Sequence, residues 1–382
     1  MTLLTAAKAS ALQNQVHVQS QAREEHLPLH GGDLIGASQR YDIPVEEWLD
    51  LSTGLNPSSY PIQELPAVLF QRLPYLRPDF LAEAARYYGN DQLMPSNGSQ
   101  LIIQELPRCL DLECQEKLPV LLPEFGYREH EDHWQRHGNI VRHYPAFDSQ
   151  SACEVIEAAL DRGEPFHLVI INPNNPTGLV FAPEQLKSWA ERMAPGGHLI
   201  IDEAFIDLNP DMSVLRDHFR DNMLVLRSFG KFFGLAGIRL GFVFANAGLR
   251  HLLQERIGIW TVNGPAQAIA IDAMKDSLWQ ISAQQNIRRS ASITQALLEP
   301  LFLRHQPQRE VHTPLFSCYQ LEHQVAMRIQ HYLASSGVLI RVVVLNENNS
   351  LLRFGIIDGA DDAQIERLEC VVAGYLGEST GE

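Results

Sequence analysis

The sequence predicts an α/β fold built on a mainly parallel sheet. Short apolar runs rich in β-branched residues recur between positions 119 and 245, and segments with helical spacing or turn signals separate them. This alternation is typical of sheets whose two faces are covered by helices. At 382 residues the chain is long enough for one large domain and a second, smaller one.

Five apolar runs are the predicted strands of the large domain. They cover residues 119–122, 167–171, 198–201, 223–226 and 241–245. Apolar residues at helical spacing predict helices over residues 101–110, 182–193 and 247–257. Ligands of such sheets bind at the carboxyl ends of the strands, so the loops that follow these runs are candidates for a site.

A smaller α+β domain is predicted after about residue 270, where the chain turns helical. Strand-like runs follow at residues 315–321, 338–344 and 351–356. We predict an N-terminal extension over residues 1–25, with no recognisable chemistry. The large domain is predicted over residues 71–270, and the small domain combines residues 26–70 with 271–382.

The composition narrows the classes of function. A content of 45% hydrophobic and 20% charged residues is typical of an ordinary globular protein. The net charge of −16 disfavours nucleic acid and anionic membranes as partners, because both repel it. The five cysteines are scattered without paired spacing, which indicates reduced thiols. With no run near the roughly 20 apolar residues that cross a bilayer, we expect a cytoplasmic protein.

Only one of the five lysines has surroundings suited to a Schiff base. Lys231 follows the predicted strand 223–226, within the string Ser-Phe-Gly-Lys-Phe-Phe-Gly-Leu-Ala-Gly. Aromatic neighbours exclude water, which lowers the pKa of a lysine, and an amine needs a lowered pKa to attack an aldehyde near neutral pH. Ser228 and Arg239 supply a hydroxyl and a cation, which together suit a phosphate.

Three further motifs follow predicted strands or precede a helix. Asp202 ends a buried strand, where a carboxylate needs a cationic partner such as a protonated pyridine nitrogen. Asn175 lies in the rigid turn Asn-Pro-Asn-Asn-Pro-Thr-Gly, from which an amide can hydrogen-bond a phenolate oxygen. Gly98 and Ser99 open the predicted helix 101–110, so its free N–H groups would face an anion; a simple Ser or Asn cap is the alternative.

In this order, the motifs resemble the fold-type-I pyridoxal 5′-phosphate (PLP) enzymes of the aminotransferase class, over residues 30–356. The resemblance implies an aspartate-aminotransferase-like fold and PLP as cofactor. It implies that Lys231 binds PLP covalently, that Asp202 pairs with the pyridine nitrogen and that Asn175 contacts O3′. It also implies that the phosphate is held by Ser228, Arg239, Gly98 and Ser99.

The resemblance assigns three more positions, and the sequence departs from it at a fourth. Phe125 matches the residue that stacks on the cofactor ring, and Arg353 matches the arginine that holds the substrate α-carboxylate. Tyr75 matches a tyrosine that is lent to the neighbouring subunit's phosphate site, which implies a homodimer. Phe205 departs from the pattern, because many relatives carry a tyrosine there whose hydroxyl contacts O3′.

The N-terminal part of the match resembles the threonine-phosphate decarboxylases of cobalamin biosynthesis. The likeness rests on His-Gly-Gly-Asp at residues 30–33 and on Asp-Leu-Ser-Thr-Gly-Leu-Asn-Pro at residues 50–57. It implies that these segments fold over the site, with Arg341 as the chief cation for a substrate phosphate. The other implied substrate-binding residues are His30, Gly31, Gly32 and Asn56. For the first string alone, a loop with a surface histidine is the alternative.

The resemblance thus implies PLP-dependent decarboxylation of L-threonine O-3-phosphate to (R)-1-amino-2-propanol O-2-phosphate. The alternative is a class I/II aminotransferase such as a histidinol-phosphate aminotransferase. The two differ in which bond at Cα lies perpendicular to the ring, and small differences in positioning decide this.

Two other readings are weaker. A PLP-fold regulator needs a winged-helix domain, and only about 30 residues precede His30. His133 and His137 lie one helical turn apart and could share a zinc ion, but residues 130–137 more simply form a polar helix surface. We predict no metal site.

Overall fold

The computed structural model describes residues 30–378, and the predicted N-terminal extension lies outside them. The described strands are β1 (Leu49–Asp50), β2 (Leu93–Ser96), β3 (Val120–Pro123), β4 (Val141–Tyr144), β5 (His167–Ile171), β6 (Leu199–Asp202), β7 (Met223–Ser228), β8 (Gly241–Phe244), β9 (Arg309–His312), β10 (Ser317–Glu322), β11 (Val338–Leu339), β12 (Arg341–Val344) and β13 (Asn349–Phe354). The described α-helices are α1 (Leu34–Tyr41), α2 (Val68–Gln71), α3 (Pro78–Tyr88), α4 (Gly98–Cys114), α5 (Glu129–His137), α6 (Ser149–Leu160), α7 (Pro183–Arg192), α8 (Phe229–Phe232), α9 (Ala247–Ile257), α10 (Gly264–Lys275), α11 (Ser277–His305), α12 (His323–Ser335) and α13 (Asp362–Glu378).

A seven-stranded sheet forms the larger part of the molecule, in the order β2-β8-β7-β6-β5-β3-β4. Strands β4, β3, β5, β6 and β7 pair in parallel, whereas β8 runs antiparallel to both of its neighbours. The predicted α/β fold with a mainly parallel sheet is therefore confirmed. Two strands of this seven-stranded sheet, β2 and β4, were not predicted from the sequence. They lie at its two edges, where a proline or polar residues are tolerated.

Both faces of this sheet are buried, because successive side chains point to opposite sides. In β5, Leu168 and Ile170 pack into one core with α6 and α7, while Val169 packs into another with α4, α5 and α9. The two-sided burial explains why these strands read as continuous apolar runs rather than alternating ones. Helix α9 has the predicted bounds 247–257, and α4 extends the predicted helix at both ends.

A second sheet contains four antiparallel strands in the order β12-β13-β10-β9. The predicted run 338–344 divides at Ile340: β11 pairs in parallel with β1, and β12 pairs with β13. The β1 to β11 pairing attaches an N-terminal segment to the C-terminal part of the chain. It supports the predicted small domain, whose boundaries remain a prediction.

The topology brings three loops together, because β5, β6 and β7 are parallel neighbours. The turn at residues 172–178 follows β5, Asp202 ends β6, and α8 with Lys231 follows β7. Among residues 30–378, no helix has both the length and the apolar character that crossing a bilayer requires.

Candidate active site

Lys231 lies on the short helix α8 and lines a cavity at the carboxyl ends of the parallel strands. Burial lowers the pKa of Lys231 to about 8, and the guanidinium of Arg353 acts in the same direction, whereas Asp202 opposes them. The Phe205 ring centroid lies 5.5 Å from the amine. At a pKa of about 8 a useful fraction of the amine is uncharged near neutral pH, and only this form attacks an aldehyde.

Asp202 is held by two hydrogen bonds at the end of β6. The Ala204 amide donates to Oδ1 at 3.0 Å, and His130 Nε2 lies 3.0 Å from Oδ2. The side chains of Asp202 and His130 are only 4% and 2% exposed. The predicted polar helix surface is therefore wrong for His130, which faces inward on α5 together with Trp134, one helical turn further on.

The histidines considered for zinc have separate partners. His133 Nε2 lies 3.1 Å from Glu129 and His137 Nε2 lies 2.8 Å from Asp111. Across the described part of the chain, no three His, Cys, Asp or Glu residues are grouped so that they could hold a metal ion. These contacts account for His133 and His137 without a metal.

Asn175 and Arg353 form a buried pair. Arg353 Nη1 donates to Asn175 Oδ1 at 2.7 Å, and Nη2 donates to the Ser52 carbonyl. Burial and, to a smaller extent, the charge of Arg341 lower the pKa of Arg353 to about 10. With its oxygen occupied by Arg353, Asn175 has its amide N–H groups left to donate, as contact with a phenolate oxygen requires.

Arg341 lies directly opposite Arg353 in the β12–β13 register, and directly opposed residues project from the same face of a sheet. Burial lowers the pKa of the Arg341 guanidinium. Arg341 and Arg353 both lower the pKa of Lys231, so the two guanidinium groups lie close enough to the amine to interact with it electrostatically. Two adjacent cations that are partly desolvated are suited to bind anions.

An anion cradle lies at the start of α4. Gly98 has a φ of +76°, and a Cβ there would lie 2.6 Å from the Arg239 guanidinium. A Cβ on Gly241 would lie 2.6 Å from the Ser99 nitrogen, so both glycines permit a close approach. No side chain caps α4, which rules out the Ser or Asn cap considered above. Free N–H groups and Arg239 therefore remain available for a phosphate.

These groups surround one cavity of about 130 Å³. Among the predicted cofactor-binding residues, its walls include Gly98, Ser99, Asn175, Asp202, Ser228, Lys231 and Arg239. Gln100 and Tyr127, which were not predicted from the sequence, also line the cavity. A buried acid, a desolvated amine and an anion cradle match the ring nitrogen, the aldehyde and the phosphate of PLP.

Phe125 and Tyr75 are not among the residues that line this cavity. Phe125 borders a neighbouring cavity and packs on Phe147 at 5.6 Å, whereas Tyr127 borders both cavities. Tyr75 is 69% exposed on the surface and packs edge-on against Trp260. The stacking role of Phe125 and the intersubunit role of Tyr75 remain predictions.

The N-terminal motifs pack beside the arginine pair. The Gly32 amide donates to Ser52 Oγ at 2.7 Å, and a Cβ on Gly31 would collide with the Ser52 carbonyl. His30 contacts Glu129 at 2.7 Å and, with Arg341, lines a third cavity.

The Asn56 side chain makes hydrogen bonds that fix its own loop. Its side chain donates to the Phe232 carbonyl at 3.0 Å and accepts from the Ser58 amide, so it anchors its loop to α8. Its predicted contact with substrate remains untested.

Three residues of the site were not predicted from the sequence, for different reasons: His130, Tyr127 and Gln100. His130 had a detectable signal, since its spacing from Trp134 places both on one helix face. Tyr127 follows Phe125 by two positions, and sequence alone does not say which ring turns inward. Gln100 resembles any polar residue in a first helical turn.

Comparisons with known proteins agree with this geometry. The family model for aminotransferase class I and II matches residues 69–369. The threonine-phosphate decarboxylase of Pseudomonas aeruginosa is 38% identical over 347 residues, which are 91% of this chain and 97% of that protein. The histidinol-phosphate aminotransferase of Yersinia enterocolitica is 32% identical over 230 residues, which are 58% of this chain and 60% of that protein.

A solved structure supports the fold. Histidinol-phosphate aminotransferase from Sinorhizobium meliloti, in complex with pyridoxal-5′-phosphate, superposes with a TM-score of 0.71. The match covers 90% of this chain and 95% of that one at 18% identity, which is a likeness of fold alone.

Fold, cavity and relatives agree on the class, and the protein is a PLP-dependent enzyme of fold type I. The chain belongs to the aminotransferase class I and II family. The predicted fold class, the cofactor and the enzymatic nature of the protein are thereby confirmed.

Proposed function

We propose that this enzyme decarboxylates L-threonine O-3-phosphate to (R)-1-amino-2-propanol O-2-phosphate, as a step of cobalamin biosynthesis. The observation that carries the proposal is the adjacent pair Arg341 and Arg353, which lies beside the cavity in addition to the phosphate cradle at Arg239. A substrate with both a carboxylate and a phosphate uses both arginines. The relative from Pseudomonas aeruginosa, a threonine-phosphate decarboxylase, supports the same reaction.

Each charged group has a task in this reaction. When bound, PLP accepts the electron pair that the broken bond at Cα releases. The Asp202 carboxylate stabilises positive charge on the ring nitrogen from a site that excludes water. Arg353, fixed by Asn175 and the Ser52 carbonyl, orients the substrate carboxylate. Lys231, with a pKa lowered to about 8, returns a proton to Cα after carbon dioxide leaves.

The N-terminal motifs support a phosphorylated substrate. Gly31 and Gly32 pack against Ser52, whose carbonyl binds Arg353, so the backbone of this segment lies near the proposed substrate carboxylate. His30 and Arg341 line one cavity, where we propose that the substrate phosphate binds.

The direct test is incubation of the purified holoenzyme with L-threonine O-3-phosphate and measurement of carbon dioxide. We expect one carbon dioxide per aminopropanol phosphate formed. In parallel, histidinol phosphate is supplied with 2-oxoglutarate and glutamate is measured. Glutamate formation without carbon dioxide release from the threonine phosphate would overturn the decarboxylase proposal in favour of the aminotransferase.

We further propose that the enzyme is a cytoplasmic homodimer. The five cysteines form no disulfide, which is consistent with a reducing compartment. Exposed apolar side chains near the start of α10 form a candidate interface, in which Tyr75 packs against Trp260. Such an interface would bring Tyr75 within reach of a neighbouring subunit.

A further inference from the structure

The carboxylate of Glu129, in the first turn of α5, is the centre of a hydrogen-bond cluster. It lies 2.7 Å from His30 Nε2, accepts from Gln100 Nε2 at 2.5 Å and lies 3.1 Å from His133 Nε2. Its side chain is 15% exposed. Although burial raises the pKa of Glu129, the hydrogen bonds from Gln100, His30 and His133 hold it below its usual value. Glu129 is therefore charged at neutral pH.

One arm of the cluster reaches the PLP cavity. Tyr127 Oη donates to Gln100 Oε1 at 2.8 Å, and both side chains line the cavity beside Lys231. The amide of Gln100 is thus oriented by two bonds, with its nitrogen directed to Glu129 and its oxygen to Tyr127. The position of the Tyr127 ring at the cavity therefore depends on the carboxylate two residues away.

The other arm holds residues 30–33, which we call the strap. His30 reaches Glu129 through a side chain that is 43% exposed, and the Gly32 amide binds Ser52 Oγ. Ser52 also offers its carbonyl to Arg353. The strap is therefore attached at two points. Glu129 connects it to α5, and Ser52 connects it to the loop whose carbonyl binds Arg353.

We propose that Glu129 is a positioning residue that couples closure of the strap to the cavity wall formed by Gln100 and Tyr127. The Glu129 carboxylate accepts hydrogen bonds from both His30 and Gln100. When the strap opens, Glu129 loses its bond to His30 and fixes the Gln100 amide less firmly. Glu129 borders neither Lys231 nor the arginine pair, and it acts only through its partners. The kinetic part of this inference rests on the proposed decarboxylation, whereas the structural part does not.

The test compares Glu129→Gln with Glu131→Gln, the same change two residues along α5. Glu131 binds Gln135 and His143 instead of the strap, so its variant serves as the matched control. By hydrogen exchange of the holoenzyme, we expect the peptide covering residues 30–41 to exchange about tenfold faster in Glu129→Gln, because one charge-assisted hydrogen bond is lost. Exchange like the wild type, or like Glu131→Gln, would overturn the proposal.

The His30→Ala variant distinguishes loss of the His30 to Glu129 bond from a general loss of structure in α5. It removes one arm and leaves α5 intact, and it should accelerate strap exchange as much as Glu129→Gln. Adding Glu129→Gln to His30→Ala should then change strap exchange less than twofold, because the shared bond is already absent. Fully additive effects would show that the two residues act independently and would overturn the coupling.

Kinetics with L-threonine O-3-phosphate supply the second readout. Glu129→Gln should raise KM about tenfold while kcat stays within about threefold, since Lys231 and Asp202 are untouched. An equal fall in kcat with unchanged KM would contradict a positioning role. If the wild type does not decarboxylate this substrate, the proposed function fails, but the exchange experiment still decides whether Glu129 holds the strap.

Discussion

At the residue scale, the chemistry depends on how Lys231 is kept reactive. Burial and the positive charges of Arg353, Arg239 and Arg341 lower its pKa, whereas the Asp202 carboxylate raises it. The same arginines that suit anionic substrates therefore also favour the uncharged form of Lys231, the proposed nucleophile. A substrate that neutralises them should in turn raise the pKa of the Lys231 amine.

The pKa of Lys231 predicts how fast apoenzyme takes up PLP at different pH values. Since only the uncharged amine attacks, the uptake rate should rise with pH and level off above about 8, the pKa of the amine. Well below that value it should fall about tenfold per pH unit. Stopped-flow absorbance in the visible range measures the rate.

Two lysine variants serve as controls for this experiment. Lys231→Ala should show no visible band from covalently bound cofactor, while Lys187→Ala, a change at a partly exposed side chain on α7, should behave as the wild type. A pH profile that levels off only above 10 would show that Lys231 is not desolvated.

At the element scale, α5 and β5 are joined by a row of tilted ring contacts at the amino end of the sheet. His167, the first residue of β5, lies between Trp134 at 5.3 Å and His198 at 5.5 Å. Neither nitrogen of the buried His167 ring has a hydrogen-bond partner. Burial, aided by the charge of His198, lowers the pKa of His167 to about 3, so the ring is neutral in the folded protein.

The low pKa of His167 predicts a loss of stability in acid. In the unfolded chain His167 binds a proton below about pH 6.5, whereas in the folded chain it does so only near pH 3. The folded state therefore has its full stability with respect to His167 above pH 6.5, and the free energy of unfolding decreases as the pH falls below that value. Between pH 7 and 5 this loss is about 2 kcal/mol for the single histidine. Urea unfolding at the two pH values measures it.

His167→Phe identifies the source of this acid sensitivity. It keeps an aromatic ring at this position but cannot bind a proton, so the difference in unfolding free energy between pH 7 and 5 should shrink by about 2 kcal/mol. An unchanged difference would show that other groups cause the acid sensitivity.

At the scale of the whole molecule, one apolar region stands out on the surface. Phe70 and Tyr75 are 67% and 69% exposed, and Leu73, Ile259 and Trp260 are also exposed. The two segments that carry these residues meet where the Tyr75 ring packs against Trp260. Large exposed rings cost free energy in water, which favours a covered state. A twofold pairing of subunits would cover this region on both partners at once.

Trp260→Glu should weaken the proposed dimer, because it places a charge in an apolar interface. Sedimentation should then report a larger monomer fraction, together with weaker PLP binding if Tyr75 serves the neighbouring subunit. Leu303→Glu, an exposed change at the far end of α11, is the matched control and should remain dimeric. A wild-type protein that sediments as a monomer would contradict the homodimer.

The sequence by itself determined the kind of fold and the candidate residues of the site. Apolar runs must be buried, so they predicted the strands of the central sheet, and motifs of adjacent residues predicted Lys231, Asp202, Asn175 and the Gly98 cradle together. The predicted fold is confirmed and these residues line one cavity, because such signals are local, whereas the roles of the residues remain predictions. Edge strands such as β4 escaped because solvent tolerates polar residues there.

Only the tertiary structure decided which distant residues serve these groups. His130 lies 72 positions before Asp202, and Arg353 lies 178 positions after Asn175, yet each pair is in direct contact. It also decided that Tyr127 rather than Phe125 borders the Lys231 cavity. Such pairings depend on how helices pack on the sheet and on which way a loop turns, and these are set by the summed packing of the whole chain rather than by any short segment.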